Sequence, residues 1–168
     1  DFKNVFRSVL HDNSNGIWYY FLLSAYMQVV GMQLLWLRMF SVFLAGFNLY
    51  LIYLLAGKFQ NRPFFQWTAL LLTAVNPLFS QDAILIRSYM LALLGCLLSL
   101  FLLEKIILDN KAAGRYFLFY FLGILLAAGS HYFTFSVLAA EFAFIVWCSL
   151  RRSRLYPEFL AGWIFLFF

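Results

Sequence analysis

The sequence predicts an all-α fold, a polytopic transmembrane helix bundle with an N-terminal external juxtamembrane helical segment. Residues of the A, V, I, L, M, F, W, Y and C set make up 65% of the 168 residues, and charged residues only 11%. Soluble domains are roughly half apolar and a quarter charged. The mean hydropathy of +0.85 likewise indicates a membrane protein. A soluble fold could not bury so much apolar surface, so the sequence excludes one.

Apolar runs bounded by charged residues predict the individual spans, because about 20 apolar residues cross the hydrocarbon of a bilayer. The runs cover residues 39–57, 63–81, 88–103 and 116–150, and another begins at residue 159. The tripeptide 129–131 (GSH) interrupts the run 116–150 and predicts a tight turn between two short spans. Gly95 and Gly123 lie within these runs, and we expect them to ease helix packing.

The segment 17–33 is apolar enough to cross the membrane or to lie along its surface. We favour the surface, because small or polar residues recur at helical spacing and aromatic rings suited to the headgroup level accompany them. The small or polar residues are Tyr20, Ser24, Gln28 and Gly31, and the aromatic rings are those of Trp18, Tyr19 and Tyr26. On this interpretation residues 1–168 form one membrane-embedded domain, with 1–33 as the external juxtamembrane segment and 34–168 carrying the transmembrane helices.

Alternate connections differ in their content of Lys and Arg, which indicates orientation because cytoplasmic loops retain these residues. The connections 57–62, 104–115 and 151–157 hold Lys58, Arg62, Lys105, Lys111, Arg115, Arg151, Arg152 and Arg154, whereas 80–88 and 129–131 hold only Arg87. The first set is predicted to be cytoplasmic. The external face then carries Arg38, Asp82, Arg87 and His131, and with them Asp1, Lys3, Arg7, His11 and Asp12 if residues 17–33 lie on the surface.

The net charge of +5 is therefore a topology signal, and we expect no nucleic acid partner. Cys96 and Cys148 both lie in apolar runs, which predicts small buried hydrophobes rather than a disulfide or a metal pair. The sequence also has no Gly-rich phosphate loop, no metal-ligand spacing and no Gly-x-Ser-x-Gly motif. We accordingly predict no metal and no cofactor.

Polar residues near the external membrane boundary are the candidate site. Asp82 and Arg87 lie beside Tyr89, and a guanidinium at this depth can bind a phosphate in a bidentate way. His131 and Tyr132 follow at the next external turn. Two plainer interpretations stay open, a solvated surface for the charges and a structural histidine for His131.

Glu141 is a separate case, because it lies near the middle of its span. A carboxyl group there is costly, which favours a functional role or a buried polar partner. A structural role, neutral or hydrogen-bonded between helices, is equally open.

Four stretches resemble the membrane glycosyltransferases of the GT-C class, specifically the domain shared by protein mannosyltransferases, aminoarabinose transferases and related bacterial sugar transferases. Residues 12–20 (DNSNGIWYY) resemble the family's Asp-x-x-Pro-Pro-Leu-Tyr-Tyr, and Gly31 with 37–41 (LRMFS) is similar to its Gly and Leu-Arg-Leu-x-Ser. Residues 76–79 (NPLF) with 87–89 (RSY) resemble its Pro and Arg-x-Tyr, and 130–132 (SHY) its Thr-His-Tyr. The order, the spacing and the shared external side of the four stretches extend the likeness over about residues 1–150.

The chain departs from the family pattern at three places. Asn15-Gly16 replaces the double proline, although both pairs form turns. Leu85 occupies the usual acidic position two residues before the arginine, and Asp82 lies one turn further back. The family's leading Asp-Glu pair corresponds here to Asp1-Phe2.

The resemblance implies an inverting glycosyltransferase that moves a sugar from a polyprenyl-phosphate-linked donor to a glycan, lipid or protein acceptor on the external face. It implies Asp1 or Asp12 as the general base. The implied substrate- and phosphate-binding residues are Arg38, Asp82, Arg87, Tyr89, His131 and Tyr132. The expected location is a bacterial inner or plasma membrane, among its lipids, and we expect the chain to be part of a larger GT-C fold.

Two other functions fit the same sequence. A transporter or flippase for a lipid or small solute is favoured by Glu141 within the membrane. A noncatalytic membrane subunit would fit Asp1-Phe2 and Leu85, where the family's acidic residues are replaced.

Overall fold

The computed structural model describes residues 16–60, 62–107, 114–152 and 163. Within these ranges the chain forms seven helices and no strands, which confirms the predicted all-α bundle. The helices are α1 (Ile17–Val30), α2 (Leu34–Phe59), α3 (Pro63–Ala74), α4 (Pro77–Ile84), α5 (Tyr89–Ile107), α6 (Gly114–Ala128) and α7 (Thr134–Arg152).

Three of these helices are long and apolar enough to cross a membrane: α2, α5 and residues 134–151 of α7. Large apolar side chains also cover the outside of the bundle, among them Phe43, Phe47, Leu72 and Leu118. Such a surface would be a liability in water but suits contact with lipid tails. The protein is therefore a membrane protein with transmembrane helices, as its composition predicts.

Helix α1 is shorter than a span. Its 14 residues extend over roughly 21 Å at 1.5 Å per residue, against a hydrocarbon core of about 30 Å. The helix ends at Gly31, whose φ of 86° lies in the left-handed region that glycine adopts without strain. Its length agrees with a helix lying along the surface, and this orientation remains a prediction.

The segment 63–81 is not the single uninterrupted span that its composition predicts. The chain forms two short helices, α3 of 12 residues and α4 of 8 residues. Pro77 opens α4 at its first turn, and the Asn76 side chain accepts hydrogen bonds from the N–H groups of Leu78 at 2.9 Å and Phe79 at 3.3 Å. An Asn cap followed by proline starts a new helix, so the apolar run is divided here.

The predicted tight turn at 129–131 is confirmed between α6 and α7. The Ser130 hydroxyl donates to the carbonyl of Leu126 at 2.5 Å. On the other side of the turn, the Thr134 hydroxyl donates to the carbonyl of His131 at 2.6 Å. The Leu126 carbonyl is one that the C-terminal end of α6 leaves open, and the His131 carbonyl also accepts from the Thr134 N–H at 3.2 Å.

Helix α5 is the central helix, since it contacts α2, α4, α6 and α7. Its closest neighbour is α6, and glycines allow that approach. A Cβ atom added at Gly95 would lie 2.5 Å from the Ala127 nitrogen, and one added at Gly123 would lie 3.1 Å from the Ser99 nitrogen. The expectation that these two glycines ease helix packing is therefore confirmed.

The cysteines also behave as predicted. Cys96 and Cys148 are both buried free thiols. Cys148 belongs to the larger apolar cluster, which α5, α6 and α7 form together with Trp163. A second cluster joins α1, the first half of α2 and the start of α5.

The close contact between α5 and α6 predicts that an alanine lowers the stability of the protein at Gly95 but not at Gly46. Gly95→Ala should lower stability by about 1–3 kcal/mol, because the added methyl overpacks against the α6 backbone. Gly46→Ala is the matched control, because nothing lies within 4 Å of a Cβ atom at this helical position. Thermal unfolding of the purified protein in one detergent measures both. A Gly95→Ala variant as stable as Gly46→Ala would contradict the packing described.

Candidate functional site

One end of the bundle collects most of the predicted site residues, and contacts between distant segments hold it together. The Gly16 N–H donates to the Ser130 carbonyl at 3.0 Å. The hydroxyls of Tyr19 and Ser41 lie 3.1 Å apart, and Ser41 donates to the Leu85 carbonyl at 2.8 Å. We call this the polar end, formed by the starts of α1, α2 and α5, by α4 and by the turn 129–133.

Four predicted site residues form one cluster at the polar end. Arg87 donates from its guanidinium to the Tyr89 hydroxyl at 3.4 Å. The ring of Tyr89 lies 5.1 Å from that of His131, centroid to centroid, and His131 stacks on Tyr132 at 4.6 Å. Arg87 and Tyr132 are exposed, so the cluster combines an accessible cation with the packed rings of Tyr89, His131 and Tyr132.

His131 is held as a neutral ring. Its side chain is buried, with 8% exposure, and the Phe133 N–H donates to its Nδ1 at 3.2 Å. A nitrogen that accepts a hydrogen bond carries no proton, so the ring proton is on Nε2, which is then a donor. Burial also lowers the pKa of His131 below its usual value, because it disfavours the charged form.

Asp82 lies on α4 beside this cluster. Burial raises the pKa of its carboxyl group, and the charge of Arg87 opposes that effect. Asp82, Asn76 and Tyr89 provide polar groups to a cavity of about 560 Å³ whose remaining lining is largely apolar. A cavity of this size and mixed character is suited to a small ligand with both polar and apolar parts.

The other predicted site residues are less closely placed. Arg38 is exposed and lies one helical turn before Ser41, at the polar end. Among the described residues, no hydrogen bond or ion pair joins Arg38 to Arg87 or His131. Asp1 and Asp12, the two predicted bases, lie outside the described residues.

Ser88 is a residue that the sequence analysis did not single out. It lies between Arg87 and Tyr89, is fully buried, and its hydroxyl has no hydrogen-bond partner within the part of the chain that the structure describes. Buried hydroxyls are normally paired, so Ser88 is an exception at the polar end. The only signal for it was its place within the stretch 87–89, where the charged and aromatic residues drew attention instead.

The opposite end of the bundle is basic, and we call it the basic end. Lys58 of α2 pairs with Glu104 of α5 at 3.3 Å. Further along this end, cations lie over aromatic rings: Lys105 over Phe101 at 4.3 Å, Arg115 over Tyr116 at 5.1 Å and Arg151 over Trp147 at 5.1 Å. The helix bundle thus separates the two sets of charges that the loop counts distinguish.

Comparison of the chain with protein-family models, with curated proteins and with solved structures finds no match.

The lowered pKa of His131 predicts how the polar end responds to acid. The folded state resists protonation, so below pH 6.5 the unfolded state binds more protons and stability falls as the pH decreases. An NMR titration of the imidazole in a His11→Ala variant, which leaves a single histidine, measures the folded pKa. We expect a midpoint below 6.5, and a midpoint at or above that value would contradict the buried, Nδ1-accepting ring.

Proposed function

We propose that the protein is a membrane glycosyltransferase that moves a sugar from a polyprenyl-phosphate-linked donor to an acceptor at the external face. The observation that carries this proposal is the cluster of Arg87, Tyr89, His131 and Tyr132 at one end of an apolar helix bundle. A polyprenyl phosphate has a charged phosphate and a long hydrocarbon tail, and the bundle offers a surface for each. The phosphate binds to the cluster at the polar end, and the hydrocarbon tail lies against the apolar helices.

The leaving group explains the need for cations and donors. When the bond between the anomeric carbon and the phosphate oxygen breaks, the polyprenyl phosphate takes the electron pair and gains negative charge. Arg87 offers a guanidinium suited to bidentate binding, and Nε2–H of His131 offers a neutral donor. Preorganised donors of this kind stabilise the charge of the leaving phosphate more strongly beside low-dielectric lipid than in water.

The acceptor side rests on the resemblance to GT-C enzymes. Asp12, or Asp1, takes the proton from the acceptor hydroxyl or amine as general base. The acceptor atom then bonds to the anomeric carbon on the face opposite the phosphate, which inverts the configuration. Asp82 and Arg38 bind the donor's polar part on this proposal.

The charge separation supports an orientation, and the resemblance to GT-C enzymes supports a location. Loops rich in Lys and Arg stay in the cytoplasm, so the basic end is cytoplasmic and the polar end external. With several helices crossing, the protein is a multi-pass protein of a bacterial inner or plasma membrane. The donor reaches the polar end from the external leaflet.

Substitution of Arg87 tests the proposal in a transfer assay with a radiolabelled polyprenyl-phosphate sugar. We expect Arg87→Ala to lower kcat by about 10²–10³-fold, the usual loss when one donor to a developing negative charge is removed. Arg62→Ala is the matched control, because it removes an exposed arginine at the basic end. Its activity should equal that of the wild type.

Asp12→Asn extends the same assay to the general base and should abolish most of the transfer. Full transfer by both Arg87→Ala and Asp12→Asn would remove the site assignment. No transfer by the wild type with any polyprenyl-phosphate sugar would remove the proposed function itself.

A second candidate function is transport of a lipid or small solute, favoured by the buried carboxyl group of Glu141 within α7. Transport would depend on Glu141 and not on Asp12, and no glycosylated product would form. Uptake and transfer measured on the same vesicles distinguish the two functions.

A further inference from the structure

Three helices meet at Glu141, far from the polar end. The residue lies near the middle of α7 and is only 2% exposed. Ser99 of α5 lies 2.6 Å from its Oε1, and the hydroxyl of Tyr120 on α6 donates to its Oε2 at 3.2 Å. The carboxyl group therefore joins α5, α6 and α7 inside the bundle.

The number of protons available in this cluster indicates the state of the carboxyl group. The Ser99 oxygen also lies 2.9 Å from the Cys96 carbonyl, which can only accept. Ser99 has one hydroxyl proton, so it can donate to Cys96 or to Glu141 but not fully to both. When Glu141 is ionised, Ser99 donates to its Oε1. When Glu141 is neutral, its Oε1–H can donate to Ser99 while Ser99 donates to Cys96 and Tyr120 donates to Oε2, so all three contacts are made at once.

Within the part of the chain that the structure describes, no ion pair would offset the charge of an ionised Glu141. The cation across the adjoining space, Lys58, is already paired with Glu104 at 3.3 Å. A buried carboxylate without a cation is costly, whereas a neutral acid with every hydrogen bond made is not. Among the described residues, the titratable and polar groups around Glu141 include Cys96 and Ser99 of α5, Tyr120 of α6 and the Lys58–Glu104 pair of α2 and α5, and Trp163 packs with Tyr120 in the same cluster.

A cavity leads from Glu141 towards the basic end. It has a volume of about 500 Å³ and lies between α2, α5 and α7. Glu141 forms part of its wall at mid-span, Lys58 and Glu104 lie at its other extreme, and side chains such as Leu100 and Phe144 line the stretch between them. The cavity therefore connects a carboxyl group deep in the bundle with the charged residues of the basic end.

We propose that Glu141 is a proton-binding site, a neutral carboxylic acid whose proton exchanges with the solution at the basic end through this cavity. The ligand is the proton itself. Release transfers it from Oε1 to water and leaves a carboxylate, for which Ser99 must then turn away from the Cys96 carbonyl. Proton binding at Glu141 thus sets whether the Ser99 hydroxyl donates to Cys96 within α5 or to Glu141 of α7.

Infrared difference spectroscopy of the full chain in lipid nanodiscs tests the protonation state. The spectrum of the wild type minus that of Glu141→Gln at neutral pH should contain the C=O stretching band of a neutral carboxylic acid. The amide of Gln donates to Ser99 and accepts from Tyr120, so this variant keeps the same contacts. Glu104→Gln is the control and should remove carboxylate bands only. Loss of carboxylate bands without an acid band in Glu141→Gln would overturn the proposal.

Labelling of the wild type with dicyclohexylcarbodiimide tests whether a reagent reaches Glu141, and the variant Ala140→Trp tests the route. The carboxyl O–H adds across a C=N bond of the reagent, and acyl transfer to nitrogen leaves a stable N-acylurea. Peptide mass spectrometry should find this adduct on Glu141 and not on the ion-paired Glu104. Ala140→Trp, which narrows the cavity, should slow the labelling several-fold. An unlabelled Glu141, or a rate unchanged by Ala140→Trp, would contradict access through the cavity.

Discussion

The close approach of α5 and α6 is the constraint on which the rest of the structure depends. Glycines at 95 and 123 let the two backbones meet without intervening side chains. This contact fixes the register of the pair along its whole length. It places Tyr89 opposite His131 at one end and brings Ser99 and Tyr120 to the same carboxyl group at the middle. Lipid offers no hydrophobic force between helices, so such backbone contact replaces it.

Within the described residues, the cluster at the polar end, Glu141 with its partners, and the residues of the basic end lie in three separate layers along the helices. The polar end holds an exposed arginine beside aromatic rings, the middle holds a fully hydrogen-bonded carboxyl group, and the basic end holds lysines and arginines paired with a carboxylate or with rings. The apolar surface between the layers matches the lipid that surrounds it. A phosphate-bearing lipid fits the first layer, and a proton fits the second. The two proposals therefore use different parts of one bundle and stand independently.

The sequence predicted the class of fold, the long helices and the turn at 129–131, because composition and uncharged runs report burial in lipid directly. It also predicted that Arg87, Tyr89, His131 and Tyr132 share one end, since loops alternate between the two sides. It did not predict the break at Asn76-Pro77, where a local cap overrides an apolar run. Nor did it identify Ser88 or the partners of Glu141, because contacts between helices depend on rotation and register that no single apolar run specifies.

The central claim is that the cluster lies on one side of the membrane and the basic end on the other. Single cysteines at Arg87, Tyr132 and Arg115, introduced where Cys96 and Cys148 are replaced by alanine, test it most directly. A membrane-impermeant maleimide applied to intact cells should label positions 87 and 132 at once, and position 115 only after the membrane is opened. Labelling of 87 and 132 from opposite sides would contradict a shared site and the account built on it.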